Sequence, residues 1–171
     1  GVSARTELDQ GTFRDRLDEI VDNEIPIFIH HEIGELREES LDSGTLKKLV
    51  ATYPGSAIEL TARALKDILA DTHQDGMLSF IINERRAASL GFYLGFLDGM
   101  RKVLFPEIIE SFKNFPENKD WSLIEDARSA CRVKNLSRAA FLQEAVQSLE
   151  WEDIQTVKCR LEQKLLSPLG L

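Results

Sequence analysis

The 171 residues contain three histidines, and two of them adjoin. His30-His31-Glu32-Ile33-Gly34-Glu35, followed by Glu38 and Glu39, is the run richest in ligating side chains. His31 and Glu35 are four apart, so on a helix they share a face and can both reach one metal ion. His73 lies elsewhere in the chain and would complete the site only if the fold brought it near. A divalent metal held by His30, His31, Glu35 and His73 is therefore one expectation, with a ligand-binding helical protein or an enzyme built around it. The plainer reading of the run is an acidic, solvated helix face on which the histidines pair with carboxylates. The Glu-x-x-His pairs of di-iron carboxylate bundles are missing, because the residues three before each histidine are Ile27, Phe28 and Ala70.

Other chemistries find less support. There is no Gly-x-Ser-x-Gly elbow, no cysteine close to a histidine and no phosphate-binding glycine loop. Cys131 and Cys159 stand alone, without a Cys-x-x-Cys pair, so neither a redox dithiol nor a zinc cage is encoded. Both read as reduced, packed thiols in a cytoplasmic setting. No catalytic residue is assigned on this basis, and no cofactor beyond the divalent metal is expected. Net charge is −8, and the excess is local: residues 1–85 carry 17 acids against 9 Lys and Arg, whereas residues 86–171 carry 12 of each. That balance opposes a broad electrostatic footprint for nucleic acid or for an anionic membrane. It leaves a protein partner at the acidic amino-terminal half as an expectation. No secretory or lipidation motif is seen at the amino end, and the one strongly apolar run is too short to cross a bilayer.

The elements that must position these residues read as helices throughout. Residues 1–11 are polar and are expected to form a flexible amino-terminal segment, with 12–171 as one all-helical domain that could subdivide near 115–120. Thr12 is a candidate N-cap for a first helix over 13–23, and Pro26 is expected to start a separate second helix over 26–39. Ser43 is expected to cap a short helix ending at Pro54-Gly55. Ser56-Ala57-Ile58-Glu59 is a capping box, and Ile58, Ala62, Leu65, Ile68 and Leu69 behind it repeat at helical spacing. That helix should end near Asp71–Thr72, and Asp75 should cap the next. Residues 115–119 read as a loop. Asp120 is expected to cap a helix ending at Asn135, Ser137 to open another, and Ser167-Pro168 to stop the last.

The organising stretch on this reading is 87–105, AASLGFYLGFLDGMRKVLF. Ala87, Gly91, Gly95 and Gly99 recur every four residues and would form a small-residue ridge on a helix. Each interior glycine costs about 0.5–1 kcal/mol relative to alanine, a loss that close approach of another helix offsets. The fold class expected is all-α: a compact bundle of about eight or nine helices around this central glycine-rich helix. The ridge is either a homodimer contact or packing within one subunit. Phe92 and Phe96, four apart, are expected in the core rather than in a ligand pocket.

Within 127–149, ARSACRVKNLSRAAFLQEAVQSL, the residues Asn135, Leu136, Ser137, Arg138, Phe141, Leu142, Glu144 and Ala145 follow a pattern of polar turn, Ser-Arg and apolar helix. This segment resembles the helix–turn–helix portion of ribbon-helix-helix DNA-binding proteins. The resemblance implies DNA contact, and the local basic residues Arg128, Arg132, Lys134 and Arg138 are its candidates. The strand with which that family reads bases has no counterpart before residue 121. The favoured expectation is a non-catalytic helical interaction or regulatory protein that forms homo-oligomers. Metal or small-molecule binding through His30, His31, Glu35 and His73 is the first alternative, and DNA binding the second.

Overall fold

A computed structural model describes residues 10–171, with side chains from Arg14 onward. Among the described residues there is no strand. The α-helices are α1 (Gln10–Arg37), α2 (Ser43–Thr52), α3 (Ala57–Thr72), α4 (Met77–Asn83), α5 (Ala87–Phe96), α6 (Gly99–Leu104), α7 (Pro106–Phe112), the single turn α8 (Phe115–Asn118), α9 (Trp121–Ser148) and α10 (Ile154–Leu161). The chain closes with a π-helical turn, Glu162–Leu166, and a 3-10 turn, Ser167–Leu169. The expected all-α fold is what the structure shows. Helix α1 begins at Gln10, so Thr12 lies inside it and is not its N-cap, and the last two residues of the expected amino-terminal segment are helical; residues 1–9 lie outside the described residues.

The hub is α3, not 87–105. Ser56 Oγ accepts the Glu59 amide at 3.3 Å, and Glu59 Oε2 accepts the Gly55 amide at 2.7 Å, so the capping box forms. Ile58, Ala62, Leu65, Ile68 and Leu69 are then fully buried, and α3 packs against α1, α2, α4, α6 and α9. Burial of this kind stabilises by about 25 cal/mol per Å² of apolar surface.

The stretch 87–105 is two helices rather than one. Leu97 and Asp98 leave helical geometry, and Gly99 takes φ +46. Gly99 therefore supplies left-handed backbone, not a third step of a ridge. The break turns Leu97, Leu104 and Phe105 into the core while Phe96 faces outward. A Cβ placed at Gly91 or Gly95 would meet nothing within 4 Å, so no described element presses on the ridge.

Close backbone approach occurs at other glycines. A Cβ at Gly34 would sit 2.2 Å from the Ala70 carbonyl oxygen, and one at Gly76 would sit 2.1 Å from the same atom. Gly34 brings α1 onto the last turn of α3, and Gly76 lets the α3–α4 turn fold back over it.

Two further breaks expected from residue type do not occur. Helix α1 runs through Pro26 without interruption. Helix α9 runs through Asn135 and Ser137, so the helix–turn–helix portion of the ribbon-helix-helix pattern is not formed. Asn135 is fully buried and donates to the Leu104 carbonyl at 3.2 Å, while its Oδ1 accepts from Arg138 at 2.7 Å. Its amide is satisfied by Leu104 at the end of α6 and by Arg138 on its own helix, so it has no need to end the helix. Asp42 caps α2 in place of Ser43, and Gly76 precedes α4 in place of Asp75. Asp120 caps α9 as its type suggests, accepting the Ser122 amide at 3.0 Å. The expected loop at 115–119 is pinned by Phe115, which is buried between Phe112 and Trp121 and forms the turn α8.

Candidate functional site

Helix α1 is 28 residues long, and its two halves differ. From Ile27 onward it lies on α3 and α4; before that its apolar residues Leu17, Ile20, Val21 and Ile25 remain exposed. A pocket of about 680 Å³ opens between this first half of α1 and α5. Its walls are apolar: Ile20, Val21, Ile25 and Phe28 from α1, with Phe92 and Phe96 from α5. Phe28 is 60% exposed and Phe96 68%, which places both at the rim. The sequence reading of Phe92 and Phe96 as core residues is therefore corrected. The spacing that suggests a buried stripe arises here because the two rings stack on one another, centroids 6.4 Å apart, along an open helix face.

The polar lining consists of Glu24, His31, Asp71, Tyr93 and Arg101. Asp71 sits in the last turn of α3 and is 1% exposed. His31 Nδ1 lies 2.7 Å from Asp71 Oδ1. That hydrogen bond raises the His31 pKa above its ordinary value, against the opposing effect of burial. Tyr93 is almost wholly buried, and its hydroxyl faces the Asp71 carboxylate. Burial first, and then the nearby Asp71 carboxylate, push its pKa well above the usual phenol value. Glu24 Oε1 accepts from Ser89 Oγ at 3.0 Å, while its Oε2 is buried without a partner. The nearest cation, Arg86 Nη2, is 3.9 Å from Oε1. Arg101 is spent on its own turn, donating to the Phe96 carbonyl at 2.8 Å and to Asp98 at 3.2 Å.

The four residues considered as metal ligands are not gathered into one cluster. His31 Nε2 is 3.9 Å from Glu35 Oε1, as their spacing predicts. His30 instead stacks on Phe80, with Nδ1 3.1 Å from the Asp75 carbonyl oxygen. His73 Nδ1 accepts the Asp75 amide at 3.1 Å, and burial lowers its pKa. Glu35 pairs with Lys66 at 3.2 Å. Among the described residues no group of three or more His, Cys, Asp or Glu is arranged to hold a metal ion.

The residues considered for DNA contact are engaged with the protein itself. Arg132 Nη1 donates to the Leu69 carbonyl at 2.9 Å, and Nη2 lies 2.8 Å from Glu38 Oε2. Arg128 donates to the Thr72 carbonyl and pairs with Glu125. Both place positive charge at the C-terminal end of α3, where the helix dipole favours it. Lys134 pairs with Glu107, and Arg138 donates to Asn135.

Sequence reasoning missed Asp71, Tyr93 and Glu24. A carboxylate at the end of an apolar stripe, as Asp71 is, was a readable signal. Nothing in the spacing of Glu24 or Tyr93 distinguished them.

Cys131 is buried, which pushes its pKa up to about 12, and Cys159 is exposed; neither is in a disulfide. Among the described residues no helix is long and apolar enough to cross a membrane.

The arrangement is thus an all-helical fold with an open apolar pocket between α1 and α5, floored by the half-buried His31 on the buried Asp71. The chain belongs to the family described as "Family of unknown function (DUF6866) C-terminal domain", whose model matches residues 3–164. No curated protein and no solved structure matches it.

Proposed function

We propose that this chain is a non-catalytic helical binding module whose recognition element is the pocket between α1 and α5. The observation that carries this reading is the apolar cavity of about 680 Å³ with Phe28 and Phe96 standing at its rim. Small-molecule pockets span roughly 300–1,000 Å³ and combine apolar walls with few polar groups. Leaving a large apolar side chain in water forgoes about 1.5–3 kcal/mol, which an occupant recovers. The lining is mostly apolar, which suits the binding of an apolar body. The free thiols fit a cytoplasmic setting. The test is Nile red fluorescence, which should rise on mixing with the protein and fall away in Val21→Glu and Phe96→Glu with the helical circular dichroism intact. No rise with the wild-type chain would overturn the reading.

A second reading, homodimerisation, is favoured by one observation. Gly91 and Gly95 are uncovered on α5, so a second copy could approach its backbone closely there. Light scattering coupled to size exclusion should then return twice the 19.4 kDa chain mass.

A further inference from the structure

The polar atoms around the pocket are not equally satisfied. His31 and Asp71 neutralise one another, and Arg101 is held by Asp98 and the Phe96 carbonyl. Glu24 is different. Its Oε1 takes one neutral hydrogen bond from Ser89, Arg86 is 3.9 Å away, and Oε2 is withdrawn from water with nothing donating to it. A buried carboxylate oxygen without a donor carries its desolvation cost uncompensated, so such groups are rare unless something completes them. Phe28, Phe92 and Phe96 complete the surroundings. Their ring faces attract cations.

We propose that the pocket takes an amphipathic amine. Its primary ammonium group donates to Glu24 Oε2, and its alkyl or aryl body lies along Phe28, Phe92 and Phe96. An anionic head would face Glu24 and Asp71 and leave Oε2 without a donor. A neutral alcohol would satisfy the bond but not the charge. This assignment rests on the binding reading above and adds to it the class of ligand.

The test is displacement of Nile red at pH 7 by three probes of equal chain length: decylammonium, decanol and decanoate. Decylammonium should displace the dye at a concentration at least ten times lower than either of the others. Glu24→Gln, which keeps the shape and the Ser89 bond, should abolish that preference. Glu32→Gln removes the same charge from an exposed position outside the pocket and should keep it, which separates the site from general attraction to an acidic protein. If all three probes displace the dye equally, or decanoate is best, the pocket stands and the amine assignment falls. Persistence of the preference in Glu24→Gln overturns the assignment too. Failure of the dye to bind wild-type protein removes the binding reading and this one together. Because the three-probe comparison is made on the wild-type chain, a poorly folded variant does not rescue the proposal.

Discussion

His31 Nδ1 lies 2.7 Å from Asp71 Oδ1, joining the middle of α1 to the last turn of α3 beneath the pocket. The bond makes the position of α1, and so the pocket wall, depend on a proton. His31 faces Asp71 and Asp67 from α3 and Glu35 from its own helix, and all three favour its charged form. Its folded-state pKa is above 6.5. The native chain therefore holds the proton more tightly than the unfolded chain. The pair's contribution is fully present below pH 6.5 and is lost as pH rises through the folded value. Urea midpoints should accordingly be higher for wild type than for His31→Gln at pH 6, with the gap narrowing as pH climbs past the folded pKa. His73 titrates with the opposite sign, since burial lowers its pKa. The difference between wild type and His31→Gln, in which His73 is common, isolates the pair. A gap that widens with pH would refute the assignment.

The glycines should separate sharply on substitution by alanine. At Gly34 the new Cβ would lie 2.2 Å from the Ala70 oxygen and 2.9 Å from its carbon, both backbone atoms that cannot swing aside. Gly34→Ala should lose about 1–3 kcal/mol as α1 is forced off α3. Gly91→Ala meets open space in a helix interior and should gain about 0.5–1 kcal/mol in dilute protein, whereas Gly95→Ala, in the last turn of α5, should gain less. Chemical denaturation at low and high protein concentration checks this. A loss at Gly91 that grows with concentration would mean that a second copy covers the ridge.

Arg132 ties α9 to the end of α3 and to the segment just after α1, capping α3 at Leu69 and pairing with the nearly buried Glu38. Arg132→Ala should cost about 1–3 kcal/mol, because it strands a carboxylate and a helix-end carbonyl together. Arg132→Lys should recover less than half of the loss, since one ammonium group cannot reproduce the planar fork that meets both acceptors. Thermal unfolding of the two variants distinguishes these outcomes.

How much of this was legible beforehand varies by element. The capping box at Ser56 and the stripe behind it locate α3 to the residue, because cap chemistry and apolar period point the same way. His31 and Glu35 share a face as their spacing requires. The break expected at Asn135 failed because packing along α9 outweighs the local preference of one residue. Helix α1 continues through Pro26 with the turn before it tied to the start of α5, Arg86 donating to the Asn23 carbonyl and Ser89 to Glu24. The pocket was not legible, because its walls come from segments about 70 residues apart and its exposed phenylalanines have the pattern of a buried stripe.

The sequence alone determined the helical class, the place of α3 and the pairing of His31 with an acidic neighbourhood. These follow from properties carried within a few turns of chain: apolar period, caps and charge spacing. Only the tertiary structure decided which glycines admit a second backbone, which carboxylate completes the histidine, and where apolar surface stays open. Glycine spacing is identical whether a ridge faces a helix or water, and the meeting of Gly34 with Ala70, or of His31 with Asp71, depends on how α1 crosses α3. That crossing is set by the sum of many contacts across the core, none of which is encoded locally.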